Sequence, residues 1–181
     1  RQRLGTFGEY YAKMTLASYG MSIYTSEVDD HGIDFVAETK KGFMKFQVKT
    51  VRQGTGYVFM LEEHFNIADG TLFLFLSILS DDKLPDSYII PATVWENDAS
   101  GMFVYRKYEG KKSKPEYGIN LSAKNMPFLE PYRVEKMINK FRIEVEPRLR
   151  KYKNYYDGLQ AILNKSYKDE SKPCSKAVIN Y

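Results

Sequence analysis

The sequence predicts an α/β (α+β) sandwich: an opening helix, a mixed central sheet of about five or six strands, and helices closing the far side. Three patterns predict it. Apolar and small residues recur at helical spacing at the start of the chain. Short runs rich in Val, Ile, Phe and Tyr, separated by Gly, Asp and Pro clusters, fill the middle. Helical spacing then returns in the final third. At 181 residues and 43% hydrophobic content, the chain holds enough apolar material for one ordinary domain with a full core. The expected organisation is an α/β core over residues 1–128, basic helices over 129–165 packed on it, and a polar tail over 166–181.

The first helix runs to Tyr19 and ends at Gly20, with Gly5, Gly8, Ala12 and Leu16 on one stripe. Small residues there let a helix lie close to a sheet. Phe7, Tyr11 and Met14 make the other side apolar too, so the helix should be covered on most sides. Glu9 projects beside the stripe, about 40° from Gly5 on a wheel of roughly 100° per residue, and a carboxylate so placed needs a reason.

"MSIY" reads as a short strand, followed by the acidic turn "SEVDDHG" and a hairpin, "GIDFVAETKKGFMKFQVKT". After the glycine-bearing loop "RQGTG" come a strand, "YVFML", and the continuous apolar run "TLFLFLSIL", which suits a buried central strand. "YIIPATVW" is a strand that Pro91 limits to an edge or to its end. "GMFVYRKY" adds another strand before the Lys/Gly/Pro-rich loop "EGKKSKPEYG". Val134, Met137, Ile138, Phe141 and Val145 repeat at helical spacing as far as Pro147, and Leu149, Tyr152, Tyr156, Leu159 and Leu163 repeat beyond it.

Composition narrows the functional classes. The longest apolar run is too short to span a bilayer, so no membrane association is expected. A single cysteine, Cys174, excludes an internal disulfide and a cysteine zinc site and points to a reducing cytoplasm. No glycine-rich phosphate loop and no Ser/His/Asp order is present. Net charge is +4, yet Pro131 to Lys165 alone carries 9 Lys/Arg against 4 Asp/Glu, a larger surplus than the whole chain has. Tyr132, Phe141, Tyr152, Tyr155 and Tyr156 interleave with those cations. Arg148, Arg150, Lys151 and Lys153 are therefore candidate contacts to a nucleic-acid backbone, against the ordinary alternative of a solvated helical face.

The hairpin holds the sharper signal. With period 2, Asp34, Val36 and Glu38 share a face, as do Phe43, Lys45, Gln47 and Lys49. A two-residue loop at Lys40-Lys41 sets Asp34 opposite Gln47, and one at Lys41-Gly42 sets it opposite Lys49. Either register brings an acid, an amide and an amine within about 5–8 Å of one another.

"GEYYAKMTLASYG", "DDHGIDFVA" and "FQVKT" together resemble the PD-(D/E)XK nuclease superfamily, the restriction-endonuclease-like fold, in the style of its small prokaryotic members. The superfamily pattern places a helical Glu before an Asp at the start of one strand and an acidic-x-Lys triplet on the next. Those positions fall on Glu9, Asp34 and the triplet Gln47, Val48, Lys49. Residue 33 is Ile where the name expects Pro, and residue 47 is Gln where it expects an acid. The resemblance implies a restriction-endonuclease-like mixed sheet flanked by helices and a Mg²⁺-dependent DNA endonuclease, with Mn²⁺ as a substitute and a homodimer as one form of it. The alternative is a nuclease-fold protein that binds nucleic acid or assembles without cutting. A third possibility is a structural domain whose basic helices meet another protein.

The chemistry of the residues accords with the pattern. Phosphodiester hydrolysis needs a cation to offset developing charge and acidify the attacking water, and Mg²⁺ takes oxygen ligands. Asp34 offers a carboxylate, Gln47 a neutral amide oxygen, Val48 its carbonyl and Glu9 a further acid, while Lys49 beside them can orient the water or stabilise the anion. Gln47 leaves the site one negative charge short of the consensus, so weaker metal affinity and more reliance on Glu9 are expected. The competing reading of Asp34 and Lys49 is a cross-strand ion pair of little energetic weight. Lys45 and Arg52 flank the hairpin and could hold phosphates or serve solubility. Asp29, Asp30 and His31 read more readily as a solvated turn than as ligands, and His64 as structural or surface.

Overall fold

The computed structural model describes residues 2–25, 32–39 and 42–141. The opening stripe forms α1 (Gln2–Ser18), followed by β1 (Ser22–Tyr24), β2 (Phe35–Thr39), β3 (Gly42–Arg52), β4 (Tyr57–Leu61), β5 (Leu72–Leu79), β6 (Asp86–Pro91), β7 (Phe103–Arg106), β8 (Glu116–Asn120) and α2 (Val134–Lys140). Five strands make a mixed sheet in the order β1-β2-β3-β5-β6, in which β3 and β5 run parallel and the other neighbours antiparallel. This is the mixed α/β fold with flanking helices that the sequence predicts. β5 lies between β3 and β6 with seven of its eight residues buried, as an uninterrupted apolar run requires.

The far face differs from expectation. Among the described residues it is covered by a second, three-stranded sheet, β4-β8-β7, and α1 and α2 both pack on the near face. The physical reason lies in β4, where Val58 and Met60 are buried while Phe59 stands exposed, so this strand has one apolar face to give. A β5 that is apolar on both faces needs a cover on each. Phe73 and Phe75 meet Ala12 and Leu16 of α1 and Val134, Met137 and Ile138 of α2, whereas Leu72, Leu74, Leu76 and Ile78 meet Val58, Met60 and Ile119 of the small sheet.

Three local expectations also change. "EYG", expected to lie in a loop, begins β8, which pairs with both β4 and β7 and so forms the centre of the small sheet. β6 is an edge strand that ends at Pro91, as that proline required, but the rest of the expected strand, "ATVWE", coils into a 3₁₀ turn whose Trp95 is buried in the intersheet core. Phe7 and Met14 are each 45% exposed, so α1 is covered on its sheet-facing stripe and not all round. The spacing that runs on to Val145, the helix expected beyond Pro147 and the tail lie outside the described residues.

Candidate functional site

β3 positions most of the candidate side chains. Met44, Phe46, Val48 and Thr50 face the helices, while Gln47 and Lys49 pair in register with Leu74 and Leu76 and face the small sheet. Register pairs Phe35 with Phe46 and Thr39 with Gly42, so the strands connect through Lys40 and Lys41 and the next position sets Asp34 against Gln47, the first of the two alignments the sequence allowed.

Asp34 closes the gap where β2 leaves β3. Its backbone N–H donates to the Phe46 carbonyl at 2.9 Å, and its Oδ2 accepts the Val48 N–H at 2.5 Å. Strand alternation points the N–H and C=O of Val48 the same way, so the Val48 carbonyl is directed to the edge at which the Asp34 carboxylate sits. A carboxylate and a peptide carbonyl thus share one exit from the sheet, which suits a hard cation.

Gln47 lies beside them and is 6% exposed, and its Oε1 is buried without a hydrogen-bond partner among the described residues. Leaving such an acceptor unpaired costs about 1–3 kcal/mol, so a buried amide oxygen held this way suits a bound cation or water. Its amide nitrogen lies close to the Gly32 turn: a Cβ on Gly32 would stand 2.9 Å from Gln47 Nε2 and 2.7 Å from the Cβ of His64. Gly32 has φ +78, a left-handed conformation that favours glycine, and the turn before β2 therefore presses directly on Gln47.

Glu9 approaches from the opposite face. A Cβ on Gly8 would fall 1.6 Å from Thr50 Oγ1, so the first half of α1 rests directly on the Thr50 side chain of β3. Of the small residues on the stripe, Gly8 is the one that makes this approach, since Gly5 has nothing within 4 Å of its Cβ position. Lys13 Nζ lies 5.9 Å from the centre of the Phe35 ring in β2, and Glu9 stands one turn earlier on that side of the helix. Glu9 therefore belongs to the β2 side of α1, toward the end at which Asp34 begins, whereas Gln47 and Lys49 belong to the face that α1 does not cover.

The other candidates divide. Lys45 is paired with Asp69, Nζ to Oδ2 at 2.9 Å, which competes with phosphate for it. The Thr71 hydroxyl first, and then Lys45, hold the Asp69 carboxyl down to about 2. Arg52 is exposed and meets Asp81 loosely at 3.5 Å. Asp29, Asp30, His31, Arg148, Arg150, Lys151 and Lys153 lie outside the described residues. Among those described, no three His, Cys, Asp or Glu side chains gather at metal-binding distance, so any cation there leans on amide and carbonyl oxygens. His64, which sequence reasoning set aside, packs against the Gly32 turn and has a buried, unpartnered Nδ1. No local sequence signal marks it, because it arrives from the 3₁₀ turn Glu62–His64 after β4.

No protein-family model and no curated protein matches the chain. Among the solved structures similar to it in chain course are two nucleases. One is the Holliday junction resolvase Hjc of Archaeoglobus fulgidus, at 11% identity and a TM-score of 0.45, covering 75% of this chain and 95% of the resolvase. The other is the bacterial homing endonuclease I-Ssp6803I, at 18% identity and a TM-score of 0.43, covering 75% of this chain and 90% of the endonuclease. Among the described residues no helix is long and apolar enough to cross a membrane.

Proposed function

We propose that this chain is a metal-dependent DNA endonuclease whose reaction is centred on Asp34, Gln47, Val48 and Lys49, with Glu9 acting only through water from the α1 face. The observation that carries the reading is the unpartnered, buried Oε1 of Gln47 beside a carboxylate clamped on the next residue's N–H. A divalent cation, Mg²⁺ or Mn²⁺, would supply charge neutralisation on the phosphate and an acidified water. Asp34 and the Val48 carbonyl would hold it at the sheet edge, and Gln47 would add a neutral oxygen. The clamp by the Val48 N–H fixes the carboxylate before any ligand arrives, which lowers the ordering cost of binding. Lys49 presents an ammonium with three donors on the same face as Gln47, suited to a phosphate oxygen as charge develops when water adds to phosphorus and a P–O bond breaks. Arg148, Arg150, Lys151 and Lys153 would add sequence-independent backbone contacts, and Arg52 a further one.

The test is cleavage of supercoiled, linear, single-stranded and branched DNA with Mg²⁺ or Mn²⁺. Asp34→Ala should abolish cutting, and Lys49→Ala should slow it by a factor on the order of 10² while largely sparing metal binding. The neutral Gln47 favours one second reading, a nuclease-fold protein that binds DNA without cutting it. Wild-type protein that binds DNA in a salt-dependent way, yet cuts none of these substrates and takes up no metal at millimolar concentration, would establish that second reading instead.

A further inference from the structure

We infer that His64 is a ligand of the same cation, binding it through Nδ1 next to Gln47 Oε1, and that Glu63 orients it; this rests on the metal site proposed above. Both atoms are buried and without a hydrogen-bond partner among the described residues, and both side chains close on one point, the Gly32 turn immediately before Asp34. Gln47 Nε2 and the His64 Cβ are the atoms that meet at Gly32, so the two orphaned atoms sit on side chains that neighbour each other, and one shared ligand suits them better than two separate losses.

The far side of the imidazole has the arrangement expected of a metal-binding histidine. Nε2 faces Glu63 Oε1 at 3.4 Å, and that same oxygen is held by Lys114 Nζ at 2.6 Å. Histidines on metals commonly direct the second ring nitrogen at a carboxylate, which fixes the tautomer and leaves the inner nitrogen's lone pair for the ion. Glu63 and His64 come from the turn after β4, and Lys114 comes from just before β8, so the small sheet would contribute a wall to a site whose other ligands stand on the large one.

Cation preference follows from the donors. An imidazole nitrogen with oxygen ligands favours first-row transition ions over Mg²⁺, which keeps to oxygen. The chain should therefore bind Mn²⁺ more tightly than Mg²⁺, and removing His64 should narrow that difference.

The experiment is pulsed EPR of Mn²⁺ added to metal-free full-length protein, with titration calorimetry of Mn²⁺ and Mg²⁺ on wild type, His64→Ala, His64→Gln, Glu63→Gln and Asp34→Ala. Wild-type protein should show nitrogen modulation from a directly bound imidazole, absent in both His64 variants. Mn²⁺ affinity should fall about tenfold or more in the His64 variants and by a smaller factor in Glu63→Gln, with Mg²⁺ affinity changed less. The wild-type spectrum needs no variant to fold. Bound Mn²⁺ that depends on Asp34 but lacks nitrogen modulation would overturn the role of His64 and leave the metal site standing. Mn²⁺ that binds equally with and without Asp34, or not at all, would overturn both.

Discussion

Replacing Gly8 by Ala sets two known effects against each other. In an exposed helix interior the change stabilises by about 1 kcal/mol, because glycine carries the larger backbone entropy. Here the added methyl would lie 1.6 Å from Thr50 Oγ1 and 2.8 Å from Thr50 Cβ. Rotating Thr50 relieves the first contact only, since Cβ cannot turn away from a bond it anchors. α1 must therefore lift from β3, which loosens the packing of Ala12 and Leu16, both wholly buried. Overpacking of this kind costs typically 1–3 kcal/mol, and here it should exceed the helix-propensity gain, leaving Gly8→Ala about 1–2 kcal/mol less stable than wild type. Urea unfolding at 25 °C measures it as a lower midpoint at unchanged slope. Thr50→Ala removes Oγ1, itself a buried atom without a partner, and should recover part of the loss, so the double variant should show a favourable coupling of about 0.5 kcal/mol or more. A Gly8→Ala protein about 1 kcal/mol more stable than wild type would refute the close approach of α1 and, with it, the placement of Glu9.

Other expectations follow from the same geometry. Gly32→Ala should destabilise by about 2–4 kcal/mol, from a left-handed backbone at about 1–2 and the rest from contact with Gln47 and His64, and it should weaken Mn²⁺ binding more than a comparably destabilising change in the small sheet. The Asp69 carboxyl titrates at about 2 in the fold against an ordinary 3.8, so its stabilisation is present above about 4 and lost as pH falls toward 2. Asp69→Ala should therefore cost about 1–2 kcal/mol at pH 7 and little at pH 2, read by urea unfolding across pH. Gln47→Glu places a carboxylate in a position only 6% exposed, so the metal-free protein should lose about 1–3 kcal/mol, while Mn²⁺ affinity rises and calorimetric binding and metal-dependent thermal shift both increase.

Much of the site's framework is legible locally. Alternation along β2 and β3 groups Asp34 with Gln47 and Lys49, because side-chain direction in a strand has a fixed period and a short hairpin leaves few registers. Gly8 signals a helix lying on a sheet through its small size alone. β5 announces its central place by being apolar on both faces of the pleat, with Ser77 its one polar residue. The misread elements are those whose partners lie far off in sequence. β8 looks like a loop because Lys, Gly and Pro surround it, yet it is held by ladders to β4 and β7 on both sides.

The chain's local pattern by itself determined the first helix, the β2–β3 hairpin, with the register that sets Asp34 against Gln47 as one of the two it allowed, and the buried β5, since each depends on periodicity and turn chemistry within a few tens of residues. Only the tertiary structure decided that a second sheet covers the far face, that α1 stands on the face opposite Gln47, that Lys45 is engaged by Asp69, and that His64 meets Gln47 across the Gly32 turn. Those outcomes depend on which apolar faces find each other and on which polar atoms are left buried when they do. No single stretch of sequence carries that information.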